Sequence, residues 1–179
     1  RHEDWKYTDL RSAVDISNRW LASGAAMPLS TSLRSHIDAI TASIDANWLL
    51  VANGVVETDR FDAAAGIEVE RFTDSSAPTF ADQPLADLNA ALLRDGLRVR
   101  IHSATEKPLG ILIMDSADDG AAASQANIDI SIDAGCDAEI IEYQASAGAG
   151  ESYCNSIVSM QVGESARVSY VRIQDRHIA

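Results

Sequence analysis

The chain has 179 residues, a hydrophobic share of 46% and a formal charge of −13, from 14 Lys and Arg against 27 Asp and Glu. That is enough for one sizeable domain or two small ones, and so acidic a surface repels phosphate backbones, which excludes nucleic acid and leaves solubility or a basic protein partner as the use of the charge. The longest apolar runs, Trp48 to Ala52 and Ile111 to Met114, are strand-sized, far short of the roughly 20 residues that cross a bilayer, so no membrane partner is expected.

The opening Arg1-His2-Glu3-Asp4 is charged and lacks the apolar follow-on of a secretory signal peptide. Trp5 to Leu10 is a dense start in which Thr8 or Asp9 can cap a helix. Leu10, Ala13, Val14, Trp20 and Leu21 then fall near one helical face, which Gly24 and Pro28 end. Ser30 to Ser32 offer a second cap, and Leu33, Ile37, Ile40 and Ile44 follow at three- and four-residue steps. Trp48 to Ala52 reads as a strand. Asn53-Gly54 predicts a hairpin, because a type I′ turn needs positive φ twice, and Val55-Val56 begin the return. Ile67 to Phe72 alternates as a further strand, and Thr73 to Pro84 is a polar loop or boundary. Asp82 or Gln83 caps a third helix, with Pro84 in its first turn, Leu85, Leu88 and Leu92 on its buried side and Gly96 as its stop.

From Leu97 the chain is strand-like: Leu97 to Ile101, Leu109 to Met114, then a segment written twice. Ile130 to Ile140 lines up with Val158 to Val168, both reading apolar-x-apolar-x-x-Gly-x-x-Ala-x-apolar at an offset of 163 − 135 = 28. Period-two alternation marks a strand with one buried face. Gly135 and Gly163 are where the chain can turn with positive φ. A unit that cannot bury its own apolar row implies a stacked β array. Asp115 to Ala126 and Ala145 to Glu151 read as long, flexible turns between coils. The last strand, Val168 to Ile173, has no following neighbour, so the expectation is a segment of a longer protein, or self-association through the open β edge. The fold expected is thus mainly β, with a small mixed helix and strand domain at 1–96 and the β array at 97–179.

Chemistry-bearing residues are sparse. Cys136 and Cys154, 18 residues apart, form neither a disulfide framework nor a CxxC pair and suit a reducing cytosol, hence a cytoplasmic location. They read as structural thiols, stacked apart. His2, His36, His102 and His177 are scattered, none with a second ligand at metal spacing. Asp115 to Gly120 is acidic but lacks the alternate ligands and closing Glu of a calcium loop. Asp129, Asp133, Asp137, Glu139 and Glu142 decorate the repeat. Asp129 and Asp133 alternate with isoleucines and so belong to a wet outer face. Carboxylates on a coiled β array also allow a second reading, a carbohydrate-binding or carbohydrate-processing protein, for which Tyr143, Tyr153 and Tyr170 are the aromatic candidates. No nucleophile triad, phosphate loop or dinucleotide fingerprint is present, so no enzyme and no catalytic, metal or cofactor residue is assigned.

Four stretches together resemble the SufD family of SUF-type iron–sulfur cluster assembly proteins. Glu3-Asp4-Trp5-Lys6-Tyr7-Thr8-Asp9-Leu10 is similar to its E-x-W-[KR]-Y-T-x-[IL] opening, and Leu50-Val51-Ala52-Asn53-Gly54 to its strand and Asn-Gly turn. Leu88-Asn89-Ala90-Ala91-Leu92 with Gly96 resembles its LN-x-A helix, and Asn155 to Gln174 its Asn…Gly-x-x-Ala…Gln coil. The resemblance implies a right-handed parallel β-helix behind a small mixed α/β N-terminal domain. It also implies a non-enzymatic scaffold that joins a SufB-like subunit and a SufC-like ATPase, iron and sulfur being handled by the complex. The family arginine at the start of the repeat is replaced by Gln125-Ala126-Asn127, and the family's partner-docking residues would lie beyond Ala179, so none is carried over. The paralogue SufB shares the β-helix and is the close alternative.

Overall fold

A computed structural model describes residues 10–24, 31–63, 66–73, 83–118 and 120–176. The opening motif up to Asp9, the cap positions Ser30 and Asp82, and His2 and His177 lie outside the described residues. Three helices and nine strands follow in the order α1 (Arg11–Ala22), α2 (Thr31–Ser43), β1 (Asn47–Ala52), β2 (Val55–Glu57), β3 (Ile67–Phe72), α3 (Pro84–Leu92), β4 (Gly96–Ile101), β5 (Leu109–Ser116), β6 (Ala121–Ile132), β7 (Asp137–Ala147), β8 (Glu151–Val162) and β9 (Arg167–Asp175). The protein is mainly β.

The strands form two mixed sheets, one in the order β2-β1-β5-β7-β9 and the other β3-β4-β6-β8. Only β2 and β3 run antiparallel to their neighbours; every other pairing is parallel. From β4 to β9 successive strands alternate between the two sheets, and each of β6 to β9 pairs in parallel with the strand two places earlier. β1 and β3, which precede residue 97, join the same two sheets. The inward rows meet in one core, carried by Leu49, Leu97, Val99, Ile111, Ile113, Ile128, Ile130 and Ile140. A second cluster lies on the outer face of the first sheet, where Leu33, Ile37 and Ile40 of α2 cover Trp48, Leu50, Leu112 and Met114.

The alanine-rich stretch expected as a flexible turn is strand. β6 begins at Ala121, and Ala122 to Ile128 are all buried. Its inner face meets the opposite sheet and its outer face carries α1 and part of α3, so both sides of this small-residue stretch are covered. β7 likewise runs to Ala147, leaving only residues 148–150 as the turn into β8. In α1 the fully buried positions are Ser17 and Trp20, while Val14 and Leu21, expected inside, are 52% and 47% exposed. In α3, Leu85, Leu88 and Leu92 are only half-buried and Asn89 is the fully buried residue. Gly96 starts β4 rather than stopping α3, and a Cβ there would run into the Phe72 ring.

The repeat also stacks differently. β6 pairs with β8 through Ile130↔Met160, and β7 with β9 through Ile140↔Tyr170, both steps of 30 residues (160 − 130 and 170 − 140). The sequence offset of 28 misses this by one dyad, which leaves every side chain on its expected face and so goes unseen by a period-two pattern. The turn residue therefore changes. Gly135 has φ +73°, and its stacked equivalent is Ser165 at φ +60°, not Gly163. Gly163 is glycine for closeness: a Cβ would stand 2.5 Å from the Ala134 nitrogen. The Asn53-Gly54 turn is as expected, with φ of +50° and +72° between β1 and β2.

Two substitutions separate the registers. Gly163→Ala should destabilise by about 2 kcal/mol, because backbone must shift. Ser165→Gly should be neutral or stabilising by up to about 1 kcal/mol, because the left-handed strain is relieved. Urea denaturation of the two variants measures both; the 28-residue alignment gives Ser165 no strain to relieve.

Candidate functional site

Alternation along the strands makes the space between the sheets apolar at one end and polar at the other. Leu109, Ile111 and Ile113 face the core, so Asp115, two residues on, faces it too. The same parity places Ser124 of β6, Glu142 and Gln144 of β7, Cys154 and Ser156 of β8, and Tyr170, Arg172 and Gln174 of β9 on inward rows. Asp115, Ser124, Gln144, Cys154, Ser156 and Gln174 belong toward the end where the strands of the first sheet finish and those of the second begin, whereas Glu142 and Arg172 lie mid-strand, level with Ile111.

Asp115 and Glu142 are both 0% exposed. Buried carboxylates are tolerable only when donors surround them. Glu142 Oε2 accepts from Arg172 Nη2 at 3.0 Å and from the Tyr170 hydroxyl, and its Oε1 accepts from Gln144 Nε2. One rung on, Gln174 Nε2 donates to Gln144 Oε1 at 3.1 Å. Asp115 Oδ1 accepts from Arg176 Nη1 at 2.7 Å, but Asp115 Oδ2 and Arg176 Nη2 find no partner among the described residues. Cys154 stands opposite Ser124 in the sheet register. Burial pushes its thiol up and the nearby Asp115 charge adds to this, while Arg176 and Ser124 pull it the other way. A cavity of about 660 Å³ opens here, lined by Gln144, Cys154, Ser156, Arg172, Gln174 and Arg176 and by the first turn of α3.

A second polar cluster lies on the outer face under α3. Asn89 donates to the carbonyls of Ala126 at 3.0 Å and Asn155 at 2.7 Å, Asn127 donates to Asn89 Oδ1 at 3.3 Å, and Asn155 donates to the Leu85 carbonyl at 2.7 Å. These amides fasten α3 across β6 and β8. Asn53 does similar work at the rim, its Oδ1 accepting from the Ser116 N–H at 2.8 Å. Gly54 lies so close to the Gln125 backbone that a Cβ would stand 3.1 Å from its carbonyl oxygen.

The residues weighed from sequence fall in scattered places. Cys136 closes the apolar end of the core beside Ala138, far along the sheet from Cys154, and both thiols are unbridged. His36 is exposed on α2, and His102 is half-exposed, 3.8 Å from Glu68. The acidic segment at 115 divides, with Asp115 buried and Asp118 exposed. Asp129 and Asp133 are on the wet face, as expected, joined to Arg98 and Arg100; Asp133 is held below the usual carboxylate range by its hydrogen bond to Arg100. Asp137 is lowered in the same way by Arg167. Glu142, grouped with these carboxylates, is instead inside. Tyr143 packs on the outer cluster, Tyr170 on the inner core and Tyr153 at the cavity mouth, so they share no platform. Among the described residues no three His, Cys, Asp or Glu side chains gather as a metal site, and no helix is long and apolar enough to cross a membrane. Neither the models of known protein families nor the curated proteins contain a match to this chain.

Asn89→Ala should cost about 2–3 kcal/mol, since two buried carbonyls lose their donor, whereas Leu88→Ala, from a half-buried site, should cost about 1 kcal/mol. Thermal unfolding of the two variants gives the comparison, and a helix docked by its leucines would reverse the order.

Proposed function

We propose that the chain is a SufD-like scaffold component of SUF-type iron–sulfur cluster assembly. In this reading its two sheets are coils of a right-handed parallel β-helix, and it works in the cytoplasm beside a SufB-like subunit and a SufC-like ATPase. The observation that carries the reading is the strand path from β4 to β9, which changes sheet at every step and advances by one parallel neighbour each time. Two of the stretches that suggest the family also meet. Asn89 of the LN-x-A helix donates to the Asn155 carbonyl, and Asn155 opens the last coil stretch. A third stretch, Asn53-Gly54, fits against Gln125 of β6.

These residues fasten strands and helices to one another. Iron and sulfur chemistry then belongs to the assembled complex. A carbohydrate-acting protein would want aromatic rings on one face of the coils, and Tyr143, Tyr153 and Tyr170 occupy three.

The test is affinity capture. Protein tagged in its own gene should bring down a SufB-like subunit and a SufC-like ATPase, and loss of that gene should lower the activity of cluster-containing enzymes. Capture of a SufD-like protein in place of a SufB-like one would assign the paralogue, and capture of neither partner would overturn the reading.

A further inference from the structure

Asn53-Gly54 is the one Asn-Gly pair in the chain. Such a pair is chemically fragile, because glycine has no side chain to shield its nitrogen from the neighbouring amide carbon. The turn nevertheless needs both residues. Each has positive φ, and a Cβ on Gly54 would crowd the Gln125 carbonyl oxygen at 3.1 Å. Asn53 also extends a ladder. β1 pairs with β5 in parallel as far as Ala52↔Met114. One step on, the Asn53 N–H donates to the Met114 carbonyl at 2.8 Å, and a regular parallel ladder would continue with the Asn53 main-chain carbonyl accepting from Ser116. The side-chain Oδ1 takes that N–H instead, also at 2.8 Å. Asn53 is 2% exposed, and its Nδ2 has no partner among the described residues. The position therefore uses the amide for its carbonyl and its neutrality. Aspartate could accept the same bond, but only by burying a charge beside a strand that already buries Asp115.

We propose that Asn53 is a fold-gated deamidation site, intact while its amide stays in the ladder and converted to aspartate and isoaspartate when the β1–β2 turn leaves β5. The Gly54 main-chain nitrogen, freed of its proton, attacks Asn53 Cγ. An N–C bond forms, the Cγ–Nδ2 bond breaks, and ammonia leaves, taking up a proton in place of the one lost from Gly54. Water then opens the five-membered imide at either carbonyl, giving aspartate or isoaspartate with no oxidation. In the docked turn this attack requires the amide to swing off Ser116 and strand a buried N–H. The rate in the folded chain therefore follows the population in which the turn has lifted. Neither product fits back. Aspartate brings the buried charge, and isoaspartate adds a main-chain carbon to a two-residue turn closed by Ala52↔Val55. A chain left unfolded is thus marked irreversibly, and its first hairpin no longer docks. This chemistry is independent of any role in cluster assembly.

The folded chain and the chain in guanidinium chloride are held at the same mildly alkaline pH and temperature, and peptide mass spectrometry follows the exchange of NH2 for OH at each asparagine. In the unfolded chain Asn53 should react first, and folding should slow it by at least about tenfold. Equal rates in the two states overturn the proposal. Asn53→Asp, one of the two products, should unfold at lower urea than the unaltered chain at pH 7. A buried carboxyl has its folded-state pKa raised, so the deficit should shrink as the pH falls toward about 4, where the group is protonated in both states. A variant as stable as the unaltered chain at pH 7 overturns the claim that the product does not fit. The rate comparison uses only the unaltered chain and decides the gating even where the variant does not fold.

Discussion

Two sheets facing each other across a narrow interior force every inward residue to find its partner on the next rung or on the opposite wall. Over most of the length that partner is another aliphatic side chain, and Ile128, Ile130, Ile111 and Ile113 are shut away from water by simple alternation. At the far end the rows continue with Asp115, Glu142 and Gln144, which alternation buries just as firmly. There the currency is hydrogen bonds. Tyr170, Arg172, Gln174 and Arg176 of the last strand and its exit supply the donors. One covalent regularity, side chains at every second residue, thus generates both the dry core and the polar compartment.

Much of this was readable in the amino-acid order. The strands at 67–72 and 96–101 alternate apolar with polar residues, those at 47–52 and 109–116 stand out as short apolar runs, and the Asn-Gly hairpin has its own steric signature. The stacking register was not, because a shift of two residues changes no face. The polar residues held the missing signal. At a step of 30, Asp137 stands opposite Arg167, Glu142 opposite Arg172 and Gln144 opposite Gln174. At 28 those three meet Ser165, Tyr170 and Arg172, which matches no charge to its opposite. Register in such an array is better sought in charge and amide complementarity than in apolar pattern or glycine position.

The other misreadings share one cause, that composition reports on solvent and not on which neighbours an element has. Ala122 and Ala123 look like linker residues until both faces of β6 are seen to be covered. Asn89 looks like a surface amide until α3 is laid across β6 and β8, where open backbone carbonyls need donors and leucine can offer none. The same holds for the candidate site. Asp115 and Cys154 are 39 residues apart (154 − 115) in unlike contexts, and only the crossing of the chain between sheets brings them close enough for the Asp115 charge to act on the thiol.

Among the described residues, β8 and β9 are the least sheltered strands of the two sheets. Inward residues of β8 and β9 such as Val158, Met160 and Val168 are only partly buried, and these two strands are the last in their sheets. Yet β9 and the residue after it hold the donors that neutralise the carboxylates of β5 and β7. Carboxylates on two different strands are therefore held by one strand and its exit. Fraying of β9 would unclamp Asp115 and Glu142 together, and anything seated on that rim would tighten the compartment without touching it, so that occupancy of the edge and polarity of the interior form a single thermodynamic linkage.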